Sequence, residues 1–149
     1  MRSTFGILFA LMLGLFTKET CAQEFTCKTL DGEYLTINEW PIFLITSRSQ
    51  EDLNEALRCA SLVSALESRP WLLDFAWPGS SYAKRNVASA FLKSGFLKSH
   101  STILEKTPSD APLLSIVDSN FNIIWCSLYY PNDEDWIQAL KIFKRTRKR

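Results

Sequence analysis

The sequence is short of several residue types, and each shortage removes a class of chemistry. It has one histidine, His100, and four cysteines, none of them spaced as Cys-x-x-Cys. A metal centre of the zinc type needs clustered histidine, cysteine or carboxylate ligands, so no metal site is expected. Five glycines in all leave no Gly-rich cradle for a phosphate. No other cofactor motif stands out, and no cofactor is expected. No apolar run reaches the roughly 20 residues that a membrane-spanning helix needs. No Asn-x-Ser/Thr acceptor for an N-linked glycan is present. Charge of one sign is also lacking: 17 Lys and Arg face 16 Asp and Glu. A nucleic-acid partner is therefore not expected.

What the chain does have is ample apolar material. Its 149 residues are 46% hydrophobic and 13% aromatic, enough for one packed domain. Near the N-terminus, Arg2 precedes the run FGILFALMLGLF at positions 5–16, the length of a signal-peptide core. Thr20-Cys21-Ala22 supplies a small residue for cleavage after Ala22. The expected organisation is thus a signal peptide over 1–22, a folded domain over 23–143 and a basic tail over 144–149. The expected location is secreted or periplasmic, with no transmembrane segment after cleavage; a retained anchor is the alternative.

Cleavage would leave three thiols, Cys27, Cys59 and Cys126. An oxidising compartment allows one disulfide among them. Two readings stand: a Cys27–Cys126 bridge with Cys59 as a free thiol, or three small buried hydrophobes. Charge is uneven along the mature chain. The last nine residues, KIFKRTRKR, hold six positive charges, and the remainder is acidic. Such an end reads as a solvated helix terminus that complements the helix dipole, or as a contact for an anionic surface.

The element pattern alternates. Short strands at 25–28 and 34–37 flank Leu30-Asp31-Gly32, a hairpin signal. Pro41 to Ile45 is a continuous apolar run, as in a strand covered on both faces. A helix follows from Ser47 or Ser49, with Leu53, Ala56, Leu57, Ala60, Val63 and Leu66 on one face and Pro70 beyond its end. Trp71 to Phe75 reads as a strand. A second helix is expected near 82–93, with Ala83, Val87, Ala90 and Phe91 inward and Gly95 as its terminator. Residues 98–111 read as irregular. Leu113–Val117 and Phe121–Tyr130 form a hairpin around Asp118-Ser119-Asn120. Asn132 caps a last helix with Trp136, Leu140 and Phe143 inward.

The order hairpin, β, α, β, α, β, β, α, with Pro112 opening the penultimate strand, resembles the thioredoxin-like superfamily. FTCKTLDGEYLTI at 25–37 looks like the N-terminal hairpin of its TlpA-like and peroxiredoxin-like branches. Pro112-Leu-Leu-Ser-Ile-Val-Asp followed by Asn120-Phe-Asn-Ile-Ile-Trp looks like the terminal hairpin. The resemblance implies an α/β fold with a mixed central sheet flanked by helices. It also implies a cis peptide before Pro112, beside the site.

In that family a Cys-x-x-Cys or a single reactive cysteine opens the first long helix, where backbone N–H groups lower the thiol pKa. Here that position reads Ser47-Arg48-Ser49-Gln50. A serine there caps a helix, and its hydroxyl needs an adjacent base to become a nucleophile. An alternative register puts the site at Ser80-Ser81, but leaves too little chain before Pro112. Cys59 lies within the helix beside Glu55, which would raise its pKa.

The resemblance therefore implies a member without thiol–disulfide activity: a binding or accessory module for a protein partner. Ser47, Arg48, Ser49, Trp77 and Pro112 are its expected binding face. The alternatives are an oxidoreductase using a cysteine outside the motif, Cys59 foremost, and an effector or structural protein that binds anionic surfaces through its basic tail.

Overall fold

The computed structural model describes residues 23–66, 71–108 and 110–147. The expected signal peptide over 1–22 and the last two residues of the expected tail lie outside the described residues. The chain forms a mixed α/β domain. An antiparallel ribbon of β1 (Phe25–Lys28) and β2 (Tyr34–Ile37) opens it. At its turn Gly32 takes φ +89°, a left-handed conformation that glycine adopts without a Cβ penalty. The Asp31 carboxylate accepts bonds from the Thr29 hydroxyl and, at 3.1 Å, from the Glu33 N–H.

The remaining strands are β3 (Ile42–Ser47), β4 (Leu72–Phe75), β5 (Ser101–Thr102), β6 (Leu114–Val117) and β7 (Ile123–Ser127). They form one sheet in the order β5-β4-β3-β6-β7. β3, β4 and β5 pair in parallel, while β6 pairs antiparallel with both β3 and β7. A 3-10 turn at Gln50–Asp52 leads into α1 (Leu53–Leu66). Next come α2 (Ser81–Phe91), the one-turn α3 (Gly95–Lys98) and α4 (Asp133–Arg147).

Alternation along the strands separates two faces. Phe43, Ile45, Leu73, Phe75, Leu114 and Ile116 join Ala56, Cys59, Ala60 and Val63 of α1 and Ala139 and Phe143 of α4 in the main core. The rings of Phe43 and Phe143 stack at 4.6 Å. On the other face Ile42, Leu72 and Val117 meet Ile37, Phe25 and Leu35 from the ribbon, with Trp40 and Phe121 at the margin. Burial on both sides explains why β3 reads as an unbroken apolar run.

Several expectations change in the fold. Gly95 begins α3 rather than ending α2; the Ser94 hydroxyl caps this turn through the Leu97 N–H. The inner stripe of α2 is Ala88 with the adjoining Leu92, while Val87 and Phe91 are exposed. The helix is turned because Arg85, on the same side as Ala88, reaches the Thr29 carbonyl at 3.2 Å. A guanidinium seated there brings its own face inward. The cis peptide is Trp40–Pro41; Ala111–Pro112 is not cis. After Pro112 the Leu113 carbonyl accepts the Thr46 N–H at 2.9 Å, which seats β6 against β3.

The tail boundary at 143 also moves, since α4 continues through Arg147. Lys144 and Arg145 are exposed. Arg147 folds back over the Phe143 ring at 4.6 Å, donates to the Pro41 carbonyl at 3.3 Å and pairs with Glu39 at 3.6 Å. Among the described residues of the positive end, Arg147 is thus docked, while Lys141, Lys144 and Arg145 face solvent.

Phe143 is the side chain that holds α4 to the sheet. Phe143→Ala should lower the unfolding free energy by about 3–5 kcal/mol, the usual cost of emptying a buried aromatic site. Urea denaturation of the two proteins measures it.

Candidate functional site

The turn after β3 is the position at which the resemblance puts a reactive group. Its residues are arranged around one carboxylate. Asp52 accepts the Ser47 hydroxyl at 2.9 Å, the Arg48 N–H at 3.0 Å, the Arg48 Nε–H at 2.9 Å and the Ser49 N–H at 3.3 Å. Burial alone would raise this carboxyl. The bonds from Arg48, Ser47 and the backbone outweigh it and hold Asp52 below the ordinary carboxylate value. Of the two expected helix starts, Ser47 and Ser49, the structure uses Ser49, whose N–H is held by Asp52.

Ser47 is fully buried and also accepts the Trp77 indole N–H at 2.8 Å. Trp77 is buried too, edge-on to Phe75 and Phe91. The expected binding face therefore divides. Ser47 and Trp77 close on each other inside the main core and present nothing to a partner. They lie there because β3 and β4 end side by side, with Ser47 paired to Phe75. Arg48 and Ser49 remain partly accessible, held in the cap. Pro112 lies on the opposite face of the sheet. His100 does not adjoin Ser47: it is stacked on Trp71 at 4.6 Å, and its Nδ1 lies 3.0 Å from the Phe96 carbonyl.

The thiols are dispersed as well, and all three are free. Cys59 is fully buried in α1; burial, reinforced by the Glu55 carboxylate, pushes its thiol up to about 12. Burial likewise raises Cys27, against the opposing effects of Thr102 and Arg85. Thr102 is on β5 and Cys126 is on β7, at opposite edges of the sheet. Four strand spacings of about 4.8 Å put those edges roughly 19 Å apart. A disulfide needs Cα atoms within about 7 Å. The Cys27–Cys126 bridge therefore does not form.

Comparison with protein-family models, with curated proteins and with solved structures gave no match.

Open space lies behind Pro112. A cavity of about 360 Å³ is lined by Leu44 and Thr46 of β3, Ser115 and Val117 of β6, and Phe25 of the ribbon. The segment 104–112 walls it with Leu104, Thr107, Ala111 and Pro112, and Phe121 and Ile123 complete it. The lining is mainly carbon, and Lys106 is its one charged residue. Size and lining suit a small apolar ligand or an inserted side chain.

A carboxylate fastens the wall of this cavity. Asp74 of β4 is fully buried and accepts the Leu104 N–H at 3.0 Å and the Thr107 hydroxyl. Burial raises its pKa, against the lowering effect of those bonds and of Lys84. Sequence reasoning missed both Asp74 and the cavity. The available signal was an acid inside the apolar run Trp71 to Phe75, because a carboxylate is seldom buried without dedicated partners. Among the described residues no group of three His, Cys, Asp or Glu could hold a metal ion.

Asp74 makes stability depend on pH with a definite sign. Its folded pKa lies above its unfolded value. As pH rises between the two, the unfolded chain releases the proton first, so the stabilisation present at lower pH is lost. Asp74→Asn can accept the Leu104 N–H and accept none of that titration. The variant should remove this fall and be more stable than the parent above the raised pKa. Denaturant midpoints across the mildly acid range, compared between the two proteins, check it.

Proposed function

We propose that this chain is an exported, thioredoxin-like protein without thiol–disulfide activity, a binding module that receives an apolar group of a protein partner in the cavity behind Pro112. The exported location rests on the N-terminal sequence pattern. The fold reading rests on the resemblance, and it is supported by a parallel central strand pair followed by an antiparallel β6–β7 hairpin and a closing helix.

One observation carries the functional reading. The helix-start turn is closed by Asp52, Ser47 and Trp77 into a hydrogen-bonded cap, while an apolar cavity stands open on the far side of the sheet. A cysteine-free cap has no sulfur with which to exchange electrons. Cys59 is an unsuitable substitute, because a thiol raised to about 12 is almost wholly protonated at neutral pH. The cavity offers a preformed place for a side chain to be buried, which is how hot-spot anchors are received at interfaces.

This reading expects no disulfide reduction or exchange activity from the folded protein. It also expects an environment-sensitive apolar dye to bind with a micromolar dissociation constant, worth about 8 kcal/mol. Ala111→Leu, which projects a larger side chain from the cavity wall, should weaken that binding at least about tenfold while the fold is kept. Fluorescence titration and circular dichroism read both effects. Equal dye binding by the two proteins would remove the cavity from consideration.

A further inference from the structure

The two edges of the sheet are treated differently. β5 has two residues, and the ribbon turn covers it: the Leu30 N–H donates to the Ser101 carbonyl at 2.9 Å, and the Thr102 hydroxyl reaches the Lys28 carbonyl at 2.8 Å. β7 has five residues and no neighbour on its outer side among the described residues. Edge strands are commonly guarded by lysine, proline or brevity. The segment from β7 onward, IIWCSLYY at 123–130, has no charge, no proline and no glycine. Its one protective feature is a bulge at Ile124 near the start of the strand. Ile124, Cys126, Leu128 and Tyr129 are all exposed.

We propose that this edge is a homodimer interface, in which β7 of one copy pairs antiparallel with β7 of a second and the two sheets become continuous. The charge pattern of α4 argues for a second copy as the occupant. α4 follows β7 and packs against it, and its last turn reaches the Pro41 carbonyl, just before Ile42, which is level through Val117 with Ile123 at the start of β7, so the helix runs opposite to the strand. Antiparallel pairing of identical edges places the twofold axis perpendicular to the sheet. Both α4 helices then lie on one face, side by side and antiparallel. Each carries Asp133, Glu134 and Asp135 in its first turn and exposed Lys144 and Arg145 in its last, while Arg147 is held by Pro41 and Glu39 of its own chain. The acidic end of one helix therefore meets the basic end of the other, twice. Parallel pairing would instead put the two helices on opposite faces of the joined sheet, out of each other's reach. The same contact buries an apolar edge that would otherwise be an aggregation site, and main-chain bonds along paired strands supply a recognised mode of association.

Sedimentation velocity on the protein as isolated, over a range of concentrations, is the test. A dimer in the micromolar range is expected. Ile124→Lys with Leu128→Lys should give a monomer with an unchanged far-ultraviolet circular dichroism spectrum, since both side chains are exposed. Lys144→Glu with Arg145→Glu should weaken association about tenfold, because two like-charged contacts appear at once. Adding Asp133→Lys and Glu134→Lys to that variant should restore it, since the ends are again complementary. A monomer at every concentration overturns the proposal, as does a dimer that the edge lysines leave intact. Charge reversal without effect, or without rescue, overturns the antiparallel arrangement of the helices.

Discussion

Burial of β3 on both faces is the constraint on which the rest of the molecule depends. The strand is the middle of the sheet, with β4 on one side and β6 on the other. Phe43 and Ile45 point to α1 and α4, while Ile42 and Leu44 point to the ribbon. Neither layer can leave without exposing a row of aliphatic side chains to water, and each such side chain contributes roughly 1.5–3 kcal/mol when fully buried. The two layers are not equally complete. Two long helices close one face. A ribbon of two four-residue strands, with Leu104, Thr107, Ala111 and Pro112, closes the other, and the cavity is what they fail to cover.

Two carboxylates show how one fold sets opposite electrostatic outcomes. Asp52 is surrounded by donors from consecutive residues, so its ionised form is favoured. Asp74 lies deeper and has two donors from a distant loop, so burial outweighs them and its pKa is raised. Each fastens a segment next to a place where function could sit. The first shuts the turn at the end of β3. The second holds open the wall behind Pro112. The balance between desolvation and hydrogen bonding decides both cases.

Much of the architecture was legible in the residue pattern. The Asp31-Gly32 turn, the apolar run of β3, the Asn132 cap and the aromatic hairpin at 113–130 all announce local structure, because turn chemistry and periodicity act over a few residues. The stripe on α1 was legible for the same reason. The stripe on α2 was not. Arg85 draws its own face inward to the Thr29 carbonyl, a partner more than fifty residues away in sequence. Trp77 was misjudged on similar grounds: a Trp-Pro-Gly turn looks exposed until Ser47 is placed beside it.

The sequence by itself determined the strand and helix segments other than α3 and β5, that no cysteine opens the first long helix, and that Cys59 stands mid-helix beside Glu55. These follow from nearest neighbours along the chain. Only the tertiary structure decided that Ser47 and Trp77 face each other, that Cys27 in the ribbon lies beside β5 while Cys126 is on β7 at the far edge, and that open space lies behind Pro112. Such facts depend on which strands become neighbours and which face each side chain takes. They are settled by the packing of distant segments, which local pattern does not encode.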